Sequence, residues 1–124
     1  MRESKLEPFE FIEFQKIPGV PCPCGTAKRG LEDAPDFPGT VHLTEISVDA
    51  EKHFHKEHAE VYFFLHCESG AKMELNDEIY TVRAGDCVLI RPGTVHRAVG
   101  KMTVLIISMP KFDPKDEYVV GHCT

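Results

Sequence analysis

The sequence predicts an all-β domain, built as an antiparallel sandwich or barrel. Three observations lead there. Short runs of β-branched, aliphatic and aromatic residues recur along the chain. Turn-forming residues separate them, with nine glycines and nine prolines among 124 residues. No long stretch repeats its apolar residues at the 3.6-residue period of a helix, and short strands between closely spaced turns are the mark of an antiparallel fold. A chain of this length suits one domain that buries most of its apolar surface without disulfides.

Taken in order, Phe9 to Ile17 is a first strand-like stretch with Phe9, Phe11 and Ile12 as apolar markers. Pro18, Gly19, Pro21, Pro23 and Gly25 then break regular structure, predicting a loop or arm to about Gly39, within which Lys28 to Asp33 is a solvated charged run. From Thr40 the pattern changes. Val41, Leu43, Ile46 and Val48 interleave with polar residues as in a half-buried strand. Val61 to Leu65 is compact enough for a buried strand. Met73 and Leu75, then Ile79 and Thr81, flank Asn76-Asp77, a two-residue connection that predicts a tight hairpin. Cys87 to Ile90 ends at Pro92-Gly93, and Met102 to Met109 is the last strong strand. Asp113 to Gly121 reads as a tail along the surface. The expected organisation is one domain: an N-terminal strand and arm over 1–39, a barrel core over 40–109 and a tail over 110–124.

The formal net charge of −6 argues against a nucleic-acid partner, which needs a basic surface. No apolar run approaches the roughly 20 residues that span a bilayer, and residues 1–11 lack the apolar segment of a secretory signal. A cytoplasmic location with no membrane partner is expected. Five cysteines, an odd number in a chain read this way, are expected to be reduced thiols.

The chemistry concentrates in four residues. His53 and His55 stand two apart, so on a strand their imidazoles face the same side and can share an ion. Glu60 follows just before the Val61 strand, where a short turn at Lys56–Ala59 would swing its carboxylate back onto them. His96, past the Pro92-Gly93 turn, supplies a third imidazole from a distant segment. Three imidazoles and a carboxylate leave up to two positions open on an octahedral ion for a substrate or dioxygen.

His53-x-His55-x4-Glu60 resembles the first motif of the cupin family, and Gly85-Asp86-x5-Pro92-Gly93-x2-His96 resembles the second. Ser47 stands where the family has a glycine and Gly100 where it has an asparagine, and neither position binds metal in the family. The resemblance, over roughly residues 40–109, implies a double-stranded β-helix, or jelly-roll β-barrel, with His53, His55, Glu60 and His96 as metal ligands at one mouth. It implies one divalent transition metal ion (Fe, Mn, Zn, Ni or Co), a choice the donor set leaves open.

Other candidates carry competing readings. Tyr62 and Phe64 share the parity of Glu60 and either line the barrel near the ion or pack as core. His58 is a candidate acid–base group with Tyr62, or simply faces solvent. Arg91 either clamps a substrate carboxylate or pairs with a nearby acid. Cys22-Pro-Cys24 is a metal or redox pair without the second cysteine pair of a zinc site, unless His122 and Cys123 complete it. Alternatively the arm covers the barrel mouth and lends Cys24 or Arg29 to a ligand. The expected function is a small-molecule metalloenzyme, dioxygenase- or isomerase-like, or else a non-catalytic metal-dependent binding or sensor protein. The small-molecule ligand is expected to be bound by a homodimer, since a sheet edge or the Val61, Phe63, Leu65 face needs covering.

Overall fold

A computed structural model describes residues 7–47 and 50–120. Val48, His122 and Cys123 lie outside the described residues, so their expected roles have no structural counterpart here. Among the described residues, eleven strands form two antiparallel sheets. In chain order they are β1 (Val20–Cys22), β2 (Gly25–Gly30), β3 (Thr40–Ile46), β4 (His53–Phe54), β5 (Ala59–Cys67), β6 (Lys72–Leu75), β7 (Glu78–Thr81), β8 (Cys87–Ile90), β9 (His96–Val99), β10 (Met102–Met109) and β11 (Tyr118–Val119). One sheet runs β1-β2-β3-β10-β5-β8 and the other β11-β4-β9-β6-β7. The only helical pieces among the described residues are two single 3₁₀ turns, Phe14–Lys16 and Pro114–Asp116. None is long and apolar enough to cross a membrane.

Alternation builds the core. On β10, Met102, Val104 and Ile106 point inward and are buried, while Leu105 and Ile107 stay half-exposed. On β5, Tyr62 and Phe64 do the same, and Met73 and Ala98 answer them from the facing sheet. The Asn76-Asp77 hairpin is as the sequence predicts: both residues have positive φ, 48° and 71°, the geometry of a tight turn matched to strand twist.

Three segments differ from expectation. Phe9 to Ile17 contains no strand, only the 3₁₀ turn. The Pro-rich arm holds two strands instead of a loop, because β1 lies at the sheet edge, where Pro21 costs no ladder hydrogen bond. Gly25 makes that hairpin feasible: its φ is +147°, and a Cβ there would strike the Glu45 carbonyl oxygen. The tail does not merely coat the surface, since β11 pairs with β4 and extends the five-stranded sheet.

Gly93, on the turn between β8 and β9, has φ +88°, and its N–H donates to the His55 carbonyl at 2.7 Å. A Cβ there meets open space, so only the backbone resists substitution. Gly93→Ala is expected to cost about 1–2 kcal/mol, lowering Tm by about 5 °C in calorimetry.

Candidate metal centre

Four donors converge from both sheets. β4 and β9 pair with His53 directly opposite His96. His55 follows β4 by one residue, and Glu60 opens β5 in the other sheet. The four side chains are buried and offer ligand atoms that all lie within 4.8 Å of one another. Glu60 Oε1 is 3.2 Å from His55 Nε2 and 3.3 Å from His96 Nε2.

The hydrogen bonds behind the rings decide which nitrogens face inward. His53 Nδ1 donates to the Glu51 carbonyl (2.9 Å), His55 Nδ1 to the Asp116 carbonyl (2.8 Å) and His96 Nδ1 to the Thr94 carbonyl (2.9 Å). A carbonyl only accepts, so each Nδ1 carries the proton and each neutral ring keeps its Nε2 lone pair free. His55 Nε2, His96 Nε2 and Glu60 Oε1 are buried without a hydrogen-bond partner. Buried acceptors grouped around one point are costly unless a proton or cation joins them. The donor set fits a divalent transition metal, which neutral imidazole and carboxylate suit.

The electrostatics agree. Burial would raise the Glu60 carboxyl, but His55 and His96 beside it hold it well below the carboxylate range. Burial depresses His55, yet Glu60 lifts it above the ordinary 6.5. His53 falls to about 4, through burial and then the neighbouring His96. A proton and a metal ion compete for the same Nε2 atoms.

The donors open onto a narrow chamber bounded by the β1–β2 hairpin, β3 and the C-terminal segment. Its free volume is about 10 Å³, room for about one water molecule. Cys24, Arg29, His42 and Tyr62 line it, together with Phe112 and Glu117. Cys22 and Cys24 are joined in a disulfide on this wall, where reduced thiols were expected; Cys67 and Cys87 are free. The two sulfurs meet because the hairpin brings the Cα atoms to 5.2 Å, within bridging distance.

The remaining sequence candidates separate. Tyr62 reaches the chamber edge-on to His96, with ring centroids 5.8 Å apart. Burial pushes its hydroxyl well above 10, so it is a proton donor at neutral pH and not a base. Phe64 has the right parity but the wrong depth. Four residues beyond Glu60 is roughly 13 Å along a strand, and Phe64 lines a separate cavity with Met73 and Val88. Arg91 follows the inward Ile90, so alternation turns it outward, and it is exposed outside the chamber.

His58 is buried and faces the C-terminal segment instead of solvent. Its Nε2 accepts from the Asp113 N–H at 2.8 Å, its Nδ1 lies 2.9 Å from Asp116 Oδ2, and its ring stacks on Phe112. Its Nε2 bond and its stacking on Phe112 anchor that segment, while Nδ1 lies beside Asp116 without making a hydrogen bond. Asp116 completes the anchor by accepting from the N–H groups of Lys56, Glu57 and His58 at 2.8, 2.8 and 3.0 Å.

His42, Asp116 and Glu117 were missed in the sequence. Only His42 had a signal, as a polar residue at an inward position between Val41 and Leu43. Its Nε2 lies 2.8 Å from Thr40 Oγ1, and burial, with Arg29 adding to it, lowers its pKa from 6.5 to about 4. The folded state therefore resists a proton that the unfolded state takes up. This contribution is intact above pH 6.5 and is lost as pH falls toward 4. It should amount to about 2–3 kcal/mol. Urea titrations of the native protein and His42→Gln over pH 4–7 should show a shallower acid slope in the variant.

Residues 39–108 match the profile of the cupin domain. Among solved structures, a protein from Planctomyces limnophilus is 37% identical, with a TM-score of 0.84 over 88% of this chain and 95% of that one. The Streptomyces nucleoside dehydratase Pac13 is similar at 19% identity and TM-score 0.72, over 90% of this chain and 91% of its own. Ectoine synthase from P. lautus is similar at 16% identity and TM-score 0.71, over 90% of each chain. At those identities the last two share the fold alone. No curated protein matches the chain in sequence.

Proposed function

This chain belongs to the cupin domain family, and from that premise we propose that it is a small-molecule metalloenzyme holding one divalent transition metal ion. The jelly-roll barrel presents His53, His55, Glu60 and His96 as the ligands. The observation that carries this reading is the tautomer pattern: three Nδ1 atoms tied to backbone carbonyls turn three Nε2 lone pairs toward one carboxylate. When bound, the ion supplies Lewis acidity and open coordination positions, and iron or manganese adds dioxygen chemistry.

The chain's own residues do the rest. Tyr62 holds a proton at the chamber wall and can donate it. Phe112 and the β1–β2 hairpin close the chamber against bulk water, which strengthens every charge interaction inside. Fold alone selects no reaction, so dioxygenase-like and isomerase-like chemistry both remain within this proposal. A second reading, a non-catalytic metal-dependent binding protein, is favoured by the small chamber and by the tie of His58 Nε2 to the Asp113 N–H.

A cytoplasmic homodimer completes the proposal. On the outer face of the six-stranded sheet, register aligns Leu43, Leu105 and Phe63 in one row and Val41, Ile107 and Val61 in the next. A contiguous apolar panel of this kind suits burial against a second copy.

Elemental analysis of untagged protein is the test. About one iron or manganese per chain, with substrate-dependent dioxygen uptake that chelation abolishes, supports the enzyme. Metal bound without turnover across a panel favours the binding reading. Protein that neither carries metal nor takes it up on reconstitution refutes both.

A further inference from the structure

Arg29 is the one basic side chain among the chamber residues, and its surroundings leave part of it unsatisfied. It lies on β2 opposite His42 of β3, with its guanidinium carbon 4.3 Å from the centroid of the Phe112 ring. Stacking occupies a face of the guanidinium and not its in-plane edges. Nε is buried and has no hydrogen-bond partner. Arg29 as a whole is half-buried, but a buried N–H such as its Nε is ordinarily matched by an acceptor, since a donor removed from water without one is costly.

Charge points the same way. With a divalent ion in place, the ion and Arg29 bring three positive charges to the chamber. Glu60 and Glu117 return at most two negative ones. The imidazole of His42, lowered to about 4 by burial, adds no charge near pH 7. At least one positive charge in a confined, poorly hydrated space is left for a ligand to match.

Shape narrows the ligand class. The side-on edge of a guanidinium, Nε–H beside one Nη–H, offers two parallel donors in a plane and pairs with a flat carboxylate. A carboxylate is the planar one of the two anions that such an edge pairs with, phosphate being the other.

We propose that Arg29 binds the carboxylate of a short 2-hydroxy or 2-oxo acid whose second oxygen faces the metal centre. This rests on the metal-centre reading for the second oxygen, but the carboxylate contact is Arg29's own. The acid bridges the two positive centres, and Phe112 holds the guanidinium plane in register. Even a two-carbon acid exceeds the one-water space of the chamber, so its entry requires the segment from Phe112 to Glu117 to shift.

The test uses zinc-loaded protein, which binds without redox turnover, and calorimetric titration with glycolate, glycolamide and acetate. Glycolate should bind about ten-fold or more tightly than glycolamide, which lacks the charge, and more tightly than acetate, which lacks the second oxygen. Arg29→Gln should lose about ten-fold or more in glycolate affinity while retaining its zinc content and circular dichroism. Equal binding of glycolate and glycolamide, an unaffected Arg29→Gln variant, or no binding of either acid overturns the proposal. If the protein takes up no zinc, the metal reading fails separately. Formate titration of the metal-free protein, followed by the His42 imidazole NMR signals, then decides the anion site: a saturable shift absent from Arg29→Gln keeps it, and no shift removes it.

Discussion

Replacing His53 and His96 together by alanine is expected to take bound metal from about one ion per chain to below about a tenth. These two residues face each other across β4 and β9, and each is oriented by a carbonyl two residues before it in sequence. Their loss removes half the donor set without touching the long-range links of His55. Glu60 Oε1 still lies 3.2 Å from His55 Nε2, and a proton taken up by that imidazole pairs it with the carboxylate. Far-UV circular dichroism should stay close to that of the native chain while elemental analysis shows the metal gone. Retained stoichiometric metal in a folded double variant would mean that the ion sits elsewhere.

Asp116→Ala should be the most damaging single change outside the ligands. The carboxylate accepts three backbone N–H bonds from the turn between His55 and Glu60 and lies beside His58. Removing it leaves three amides and an imidazole short of a partner, a loss of about 3–5 kcal/mol by analogy with broken buried ion networks. The same turn sets the direction of Glu60, and the Asp116 carbonyl holds His55. Metal affinity should therefore weaken by about 10–100-fold, the usual range for groups that orient ligands. Asp116→Asn, which keeps an acceptor oxygen, should recover part of both effects. Urea unfolding and competitive zinc titration measure the two quantities separately.

What could be read from the sequence followed from local rules. His53 and His55 share a face because strands alternate, and Asn76-Asp77 makes its hairpin because both residues tolerate positive φ. The Cys24 and Arg29 arm does reach the chamber, as one of two readings of that segment had it. What escaped depended on pairings between distant segments. Pro21 and Pro23 disguised an edge strand as a loop. Asp116 acts about 60 residues away from the amides it binds, and no spacing rule spans that distance. Arg91 and Phe64 show how nearness in sequence differs from nearness in space. Both lie near a ligand in sequence, but alternation turns one outward and strand rise carries the other too deep.

The division of the donors between the sheets has a mechanical consequence. Three histidines belong to the five-stranded side and Glu60 to the six-stranded side, so an ion at their centre bolts the two layers together. Opening the sandwich then requires breaking coordination bonds as well as separating packed side chains. The loaded protein should unfold more slowly than the stripped one, beyond the mass-action gain of about 4 kcal/mol expected at a thousand-fold excess of metal over Kd. Amides of β4, β9 and the start of β5 should show the largest gain in hydrogen-exchange protection, because those strands breathe apart only when the bolt is drawn.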